Sequence, residues 1–431
     1  MIRKYFLIAL FLLLFSQVVG AQNVHGCSSG AESLPSDVSS AGDGIEEQIR
    51  RAVMGEIVAR RPQVEREGVL SIQVDDIRLS QDQQQATAWI LYYDDTLDIF
   101  LPTEPGLAIA HWNGGSWQVT LPRDPDWEQA LVALPDDLLT ASEKDMWLAM
   151  DQGEQIESYP DTGYKLPWMG GVMGYMSRSV SHDEDFTTAH YSFDFFFLGT
   201  TVCPATADSE LTGITGADGL NFEIYAAKAG TIWNFRDSVV DCNHEEVNFL
   251  VLRNNDNPAN FQLYLHLSQG SIPDALRVIG APVAQGQFLA RADNTGASTG
   301  AHLHFQVEGQ PYWPADDPYW AVAKDMVFSD VNIYGGHPRR EWEVDEEYCQ
   351  GADGDDVCDE YGRLTYVSAN YPSGDSTAPT GGLSGVTLGQ SVETQTLTVN
   401  GWGADSGSGL DTMQLVAFYN DTWHDIGSPF T

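Results

Sequence analysis

The sequence predicts a mainly β, multidomain protein: a small α+β domain near the N-terminus, a larger all-β domain, and a further β segment at the end. Three observations carry this. One apolar stripe at helical spacing is followed by three strand candidates. From about Tyr164 to about Pro338, short apolar runs alternate with Gly/Asn/Asp turns. Beyond a Pro/Ser/Asp linker at Tyr371–Ala378, two more strand-like runs occur. A chain of 431 residues accommodates about two to four domains.

In chain order, residues 1–21 read as a secretory signal: Arg3 and Lys4 supply the positive start, Tyr5–Phe15 the apolar run, and Val19-Gly20-Ala21 a small-residue cleavage site. The expected location is secreted or extracytoplasmic in a bacterium, with no membrane span after signal removal. Polar residues separate Val24-His25-Gly26-Cys27 from the apolar run, which argues against a lipid anchor on Cys27. Residues 22–44 form a Ser/Gly/Asp-rich linker. Ile45, Ile49, Val53 and Ile57 then make one apolar stripe that Pro62 ends, predicting a helix. Strands are expected at Val69–Leu79, Ala86–Tyr93 and Leu107–Leu121, the last folded on itself at Asn113-Gly114-Gly115. These elements make an α+β domain over 45–139, in which no catalytic constellation is visible and His111 reads as packing.

A connector is expected over 140–163, the all-β domain over 164–341, and an acidic loop and linker over 342–374. In the all-β domain the clearest strands are Ala189–Leu198, Glu223–Ala227, Gly230–Phe235, Val247–Arg253, Phe261–Leu267 and His302–Val307. In the final segment, 375–431, Leu397–Trp402 and Met413–Tyr419 flank an Asp405–Gly409 turn and resemble the start of an immunoglobulin-like β-sandwich. Such a module takes ~100 residues, so the natural chain is expected to continue past Thr431.

Lys and Arg total 21 against 62 Asp and Glu, a net charge of −41. So acidic a chain is not built to hold nucleic acid or an anionic membrane by charge. Five cysteines suit an exported protein. Cys349 is expected to pair with Cys358 around the acidic loop and Cys203 with Cys242, leaving Cys27. With no Cys-x-x-Cys, a cysteine zinc site is not indicated. Asp353, Asp355, Asp356 and Asp359 lack the spacing of a helix-loop-helix calcium site and read as a solvated loop.

The chemistry concentrates in Gly300–Val307, Gly-Ala-His-Leu-His-Phe-Gln-Val. On a strand, His302 and His304 point to one face, roughly 6.6 Å apart, so one can bind a metal while the other stands beside it. Ala189–Phe195 adds His190 and Asp194. Tyr-Ser-Phe-Asp-Phe is strand-like, and on a straight strand these two would lie ~13 Å apart, so His190 must sit on a turn that folds back. Asp194 among aromatic neighbours calls for a cation partner. His266, in Tyr264-Leu265-His266-Leu267, is expected on a strand with Tyr264 on its face. Of the other histidines, His25 and His424 lie near the termini, and His182, His244 and His337 in polar loops read as solvated, with a metal contact by His182, close in sequence to His190, as the lesser alternative.

Together, His190-x-x-x-Asp194, Tyr-Leu-His266-Leu and Thr-Gly-Ala-Ser-Thr-Gly-Ala-His302-Leu-His304 resemble the lysostaphin/LytM/LasA-type zinc metallopeptidases in order and spacing, over Tyr164–Val307. The resemblance implies one Zn2+ held by His190, Asp194 and His304, with His302 and His266 as the catalytic pair. It also implies hydrolysis of peptidoglycan cross-bridge or stem peptides, or of other small-residue-rich peptides, by a zinc-activated water. The family often has Gly where this chain has Ser192, which puts the geometry around His190 in question. The alternatives are a non-catalytic cell-wall binding or activator protein that keeps the fold, and an adhesin-like surface protein.

Overall fold

In the computed structural model the described residues are 5–11, 44–60, 70–95, 99–151, 160–198, 221–313, 317–340, 343, 364–371, 380–384, 400–404, 412–419 and 422–425. They fall in two compact units. In one, Tyr5–Phe11 runs parallel to Thr412–Tyr419, which pairs antiparallel with Thr422–Asp425, and Thr380–Ser384 pairs antiparallel with Asn400–Ala404. An apolar run such as Tyr5–Phe11 carries no periodicity that separates a buried strand from a signal segment. The pairings expected for Cys203 and for Cys349–Cys358, and the acidic loop, involve residues outside those described. No described helix is long and apolar enough to cross a membrane.

The second unit spans Asp43–Ser373. Its first sheet orders Leu70–Leu79, Gln85–Asp94, Gly106–Trp112 and Trp117–Thr120, with Ile99–Phe100 also on Gln85–Asp94. The Ile45–Arg60 helix lays Ile49, Val53 and Ile57 on one face, against Ala86, Ala88, Ile90 and Tyr92. The alternate residues Trp89 and Leu91, with Leu107 and Ile109, turn to the other face. A strand apolar on both faces needs cover on both, and the second cover is the larger domain. Residues 140–163, expected as a connector, contain a helix, Ala141–Asp151. Thr140 and Glu143 cap it reciprocally: the Thr140 amide donates to Glu143 (2.7 Å) and the Glu143 amide to Thr140 Oγ1 (3.3 Å).

The larger sheet has eight antiparallel strands in the order Pro282–Val283, Gly230–Arg236, Phe249–Asn254, Phe261–Leu265, Leu303–Glu308, Phe193–Phe196, Met173–Arg178 and Tyr366–Val367. The last lies beyond residue 341, so the chain returns to this sheet after the acidic loop. Leu303, Phe305, Val307, Phe193, Phe195 and Tyr264 face one core. Period-two alternation sends His304, Gln306, Glu308 and Asp194 to the opposite face, where Phe249, Val251, Leu263 and Leu265 meet Trp89, Leu91 and Leu107 of the first sheet. The polar groups therefore collect between the two sheets.

Candidate metal centre

Asp194 and His304 sit directly opposite each other on adjacent strands. Opposed residues of an antiparallel pair hold their side chains close, and His304 Nδ1 lies 3.0 Å from Asp194 Oδ1. His302 is the residue before the strand, on the same face as His304, its backbone bridged to Asp293. His266 does not lie on a strand. The strand ends at Leu265, and His266 has φ 60°. A straight continuation would place it with Tyr264 in the far core; the left-handed residue turns it toward His302 instead, ring centroids 4.4 Å apart.

The structure does not bring His190 into this group. His190 lies on the turn before the strand, half-buried, its ring 4.6 Å from that of Tyr191, and belongs to neither cluster of potential ligands. His182 stands beside Asp194 instead, with Nε2 2.8 Å from Asp194 Oδ2. The reason is local. Met173–Arg178 pairs with the Asp194 strand, and the 3-10 turn Val180–Glu184 folds straight back over that pair. Glu343 fixes the turn by accepting from the Ser179 and Ser181 amides at 2.9 and 3.0 Å. A loop histidine in a polar stretch gives no sequence signal of this.

A second difference is Glu104, from the first domain. Its Oε1 lies 2.8 Å from both His266 Nε2 and His304 Nδ1, and its Oε2 3.4 Å from His182 Nε2. Two overlapping groups result: Glu104, His182, Asp194 and His304, and Glu104, His266 and His302. All are at most 1 % exposed.

The outward nitrogens decide what the inward ones are. His182 Nδ1 donates to the Ser179 carbonyl (2.8 Å), His266 Nδ1 to Thr295 (2.5 Å), and His302 Nδ1 to Gly300 (2.8 Å). His304 Nε2 donates to Gln306 Oε1 at 3.2 Å, and the Gln306 amide is itself pinned by Glu308 and the Ala321 carbonyl. Each imidazole thus presents its other nitrogen to one small volume that also holds two carboxylates, which is how ligand histidines are oriented. Lone pairs facing carboxylates in a buried site require positive charge between them, from protons or a metal ion. Protons partly serve: burial opposes charging of His182 and His304, yet Asp194 and Glu104 push them up to about 8 and about 10. His302 Nε2 and Glu104 Oε2 have no hydrogen-bond partner among the described residues. Nitrogen and oxygen donors with unused capacity suit zinc.

Buried imidazoles and carboxylates gathered beside an antiparallel sheet define a candidate metal centre. Residues 210–314 match the model of peptidase family M23, a stretch that holds His266, His302 and His304. No curated protein matches the chain. Among solved structures it is similar to the catalytic domain of the antimicrobial peptidase lysostaphin from Staphylococcus simulans, at 22% identity over 38% of this chain and 85% of that one, TM-score 0.20. It is also similar to a putative peptidase M23 from Pseudomonas aeruginosa, at 14% identity over 57% and 91%, TM-score 0.21. A putative glycyl-glycine endopeptidase lytM from Ruminococcus gnavus shows 10% identity over 43% and 67%, TM-score 0.21.

Proposed function

We propose that this protein is an exported zinc metalloendopeptidase that hydrolyses peptide bonds of peptidoglycan. The observation that supports the reading most is the set of inward imidazole nitrogens converging on Asp194 and Glu104, in a chain whose residues 210–314 match the M23 peptidase model. His182, Asp194 and His304 would hold the ion, His182 replacing the His190 of the motif-based expectation. Zinc, when bound, supplies Lewis acidity toward water and a carbonyl. His302 is the general base: its Nδ1 proton is committed to Gly300, and its Nε2, without a partner, is the one inward nitrogen of the four not within 2.8 Å of a carboxylate oxygen. His266, locked through Thr295, is placed to donate to a developing oxyanion or to the leaving amine. The substrate class rests on the family, and export on Arg3, Lys4 and the apolar run after them.

The test is zinc content and amine release from purified peptidoglycan, for the parent and His302→Ala. About one zinc per chain in both is expected, with the rate falling roughly 10²–10⁴-fold in the variant. A parent that takes up no zinc on reconstitution, or a variant as active as the parent, overturns the reading.

A further inference from the structure

The strand Phe261–Leu265 pairs with Phe249–Asn254, and the pairing ends with Phe249 opposite Leu265. One residue further on each side are Asn248 and His266. The chain does not run on straight there. His266 takes φ 60°, a conformation uncommon for any residue with a side chain. Such a residue persists only where its surroundings fix it.

Asn248 is central to those surroundings. It is 0 % exposed, and both polar atoms of its side chain are engaged. Its Oδ1 accepts from the Val239 amide (2.9 Å), and its Nδ2 donates to the carbonyls of Val239 (2.8 Å) and Leu267 (3.0 Å). A main-chain amide only donates and a carbonyl only accepts, so the carboxamide has one orientation here. The Asn248 main chain adds two bonds. Its carbonyl accepts from the Leu267 amide at 3.2 Å, and its amide donates to Thr295 Oγ1 at 3.1 Å. Thr295 Oγ1 in turn donates to the Leu267 carbonyl at 3.2 Å. The carbonyl of the same Thr295 accepts from His266 Nδ1 at 2.5 Å. The turn that aims His266 and the residue that sets its ring are thus both tied to Asn248. The tie reaches the second histidine through one residue: the Asp293 amide donates to the His266 carbonyl (2.7 Å), and the His302 amide to the Asp293 carbonyl (3.3 Å).

We propose that Asn248 is the positioning residue of His266. With the Thr295 hydroxyl it holds the left-handed turn that brings this imidazole to His302. It also fixes Thr295, so that the His266 Nδ1 proton is committed and Nε2 faces the reacting position. Asn248 acts through His266 and not on the substrate. The inference rests on the peptidase reading above, in which His266 donates to the oxyanion or the leaving amine.

The test places Asn248→Ala in the zinc-loaded full chain and, separately, in a His266→Ala background. In the first, kcat for amine release from peptidoglycan should fall about 100-fold with KM and zinc content unchanged, the scale of a misplaced catalytic group. In the second, the same substitution should change kcat by no more than about 2-fold, since residues that act as a unit are not additive. Thr295→Val keeps the shape and removes the hydroxyl; it should cost about 10-fold, and Thr295→Ser should recover most of that. A loss of equal size in both backgrounds overturns the inference and makes Asn248 a support of the fold alone. Where Asn248→Ala does not fold, Thr295→Val in the same two backgrounds decides it.

A second readout needs no activity. The His266 Nδ1 proton should give a slowly exchanging imidazole resonance in the parent that is absent from His266→Ala. In Asn248→Ala it should exchange with solvent at least about 10-fold faster. Unchanged exchange overturns the inference. Faster exchange with no cleavage by any form keeps Asn248 as the support of this imidazole and removes the peptidase reading.

Discussion

Asp194 and His304 reach the centre differently from His182, His266 and His302. The first two stand on adjacent strands in direct register, so the hydrogen-bond ladder that builds the sheet also sets their separation. The other three stand outside strands: on a 3-10 turn, at a left-handed residue, and just ahead of a strand. Each of these is aimed by a bond from Nδ1 to a main-chain carbonyl. Ladder positions tolerate little change of neighbour; turn positions depend on the particular contacts that hold the turn.

The sharpest break of this comparison exchanges the two candidate third ligands. His182→Ala should weaken zinc binding by more than the roughly 10–100-fold expected for an outer partner, while His190→Ala should change it by no more than about 2-fold, on the same scale. Zinc competition against a chromogenic chelator reads both. The reverse pattern returns His190 to the ligand set and makes the 3-10 turn a bystander.

A smaller effect is expected on the ladder side. Burial drives the Glu308 carboxyl well above its ordinary 4.5, more than the bonds from Gln306 and Ala321 lower it. A carboxyl raised in the folded state stabilises fully below its unfolded value, and that contribution is lost as pH rises toward the folded value. Glu308→Gln keeps acceptor geometry and cannot ionise. It should therefore be near neutral at pH 4 and more stable than the parent by about 1–3 kcal/mol at pH 8. Denaturant midpoints at the two pH values decide it; an equal effect at both would mean that Glu308 does not titrate between them. The smallest effect is local: Thr140→Ala removes one half of the cap on Ala141–Asp151 and should cost about 1 kcal/mol in denaturant unfolding, with zinc binding unchanged.

Much of the larger sheet was legible. The alternation of Leu303, His304, Phe305, Gln306, Val307 and Glu308 separates two faces from sequence alone, and it puts His304 with Gln306, as found. The helix at Ile45 and the hairpin at Asn113-Gly114-Gly115 were equally plain. His182 was not, because a polar 3-10 turn has no period and its placement depends on Glu343, more than a hundred residues away. Glu104 was not, because a carboxylate followed by proline in a short loop looks like any surface turn until the loop is known to be covered. Two signals were present and unused. Thr140-Ala-Ser-Glu143 has the spacing of a reciprocal helix cap. Ala86-Thr87-Ala88-Trp89-Ile90-Leu91-Tyr92 is apolar on both faces, which no solvent-facing sheet of a free-standing domain would be.

That doubly covered strand makes the first sheet and the larger one depend on each other. Excising the first sheet would strip Phe249, Val251, Leu263 and Leu265 of Trp89, Leu91, Leu107 and Ile109, leaving a broad greasy plain open to water and prone to self-association. It would also cut the buried ties from Tyr92 to Asp185 (2.6 Å) and from Arg340 to Asp94, which brace the segments beside the His182 turn. The first sheet is therefore part of the scaffold that holds the His182 turn in place.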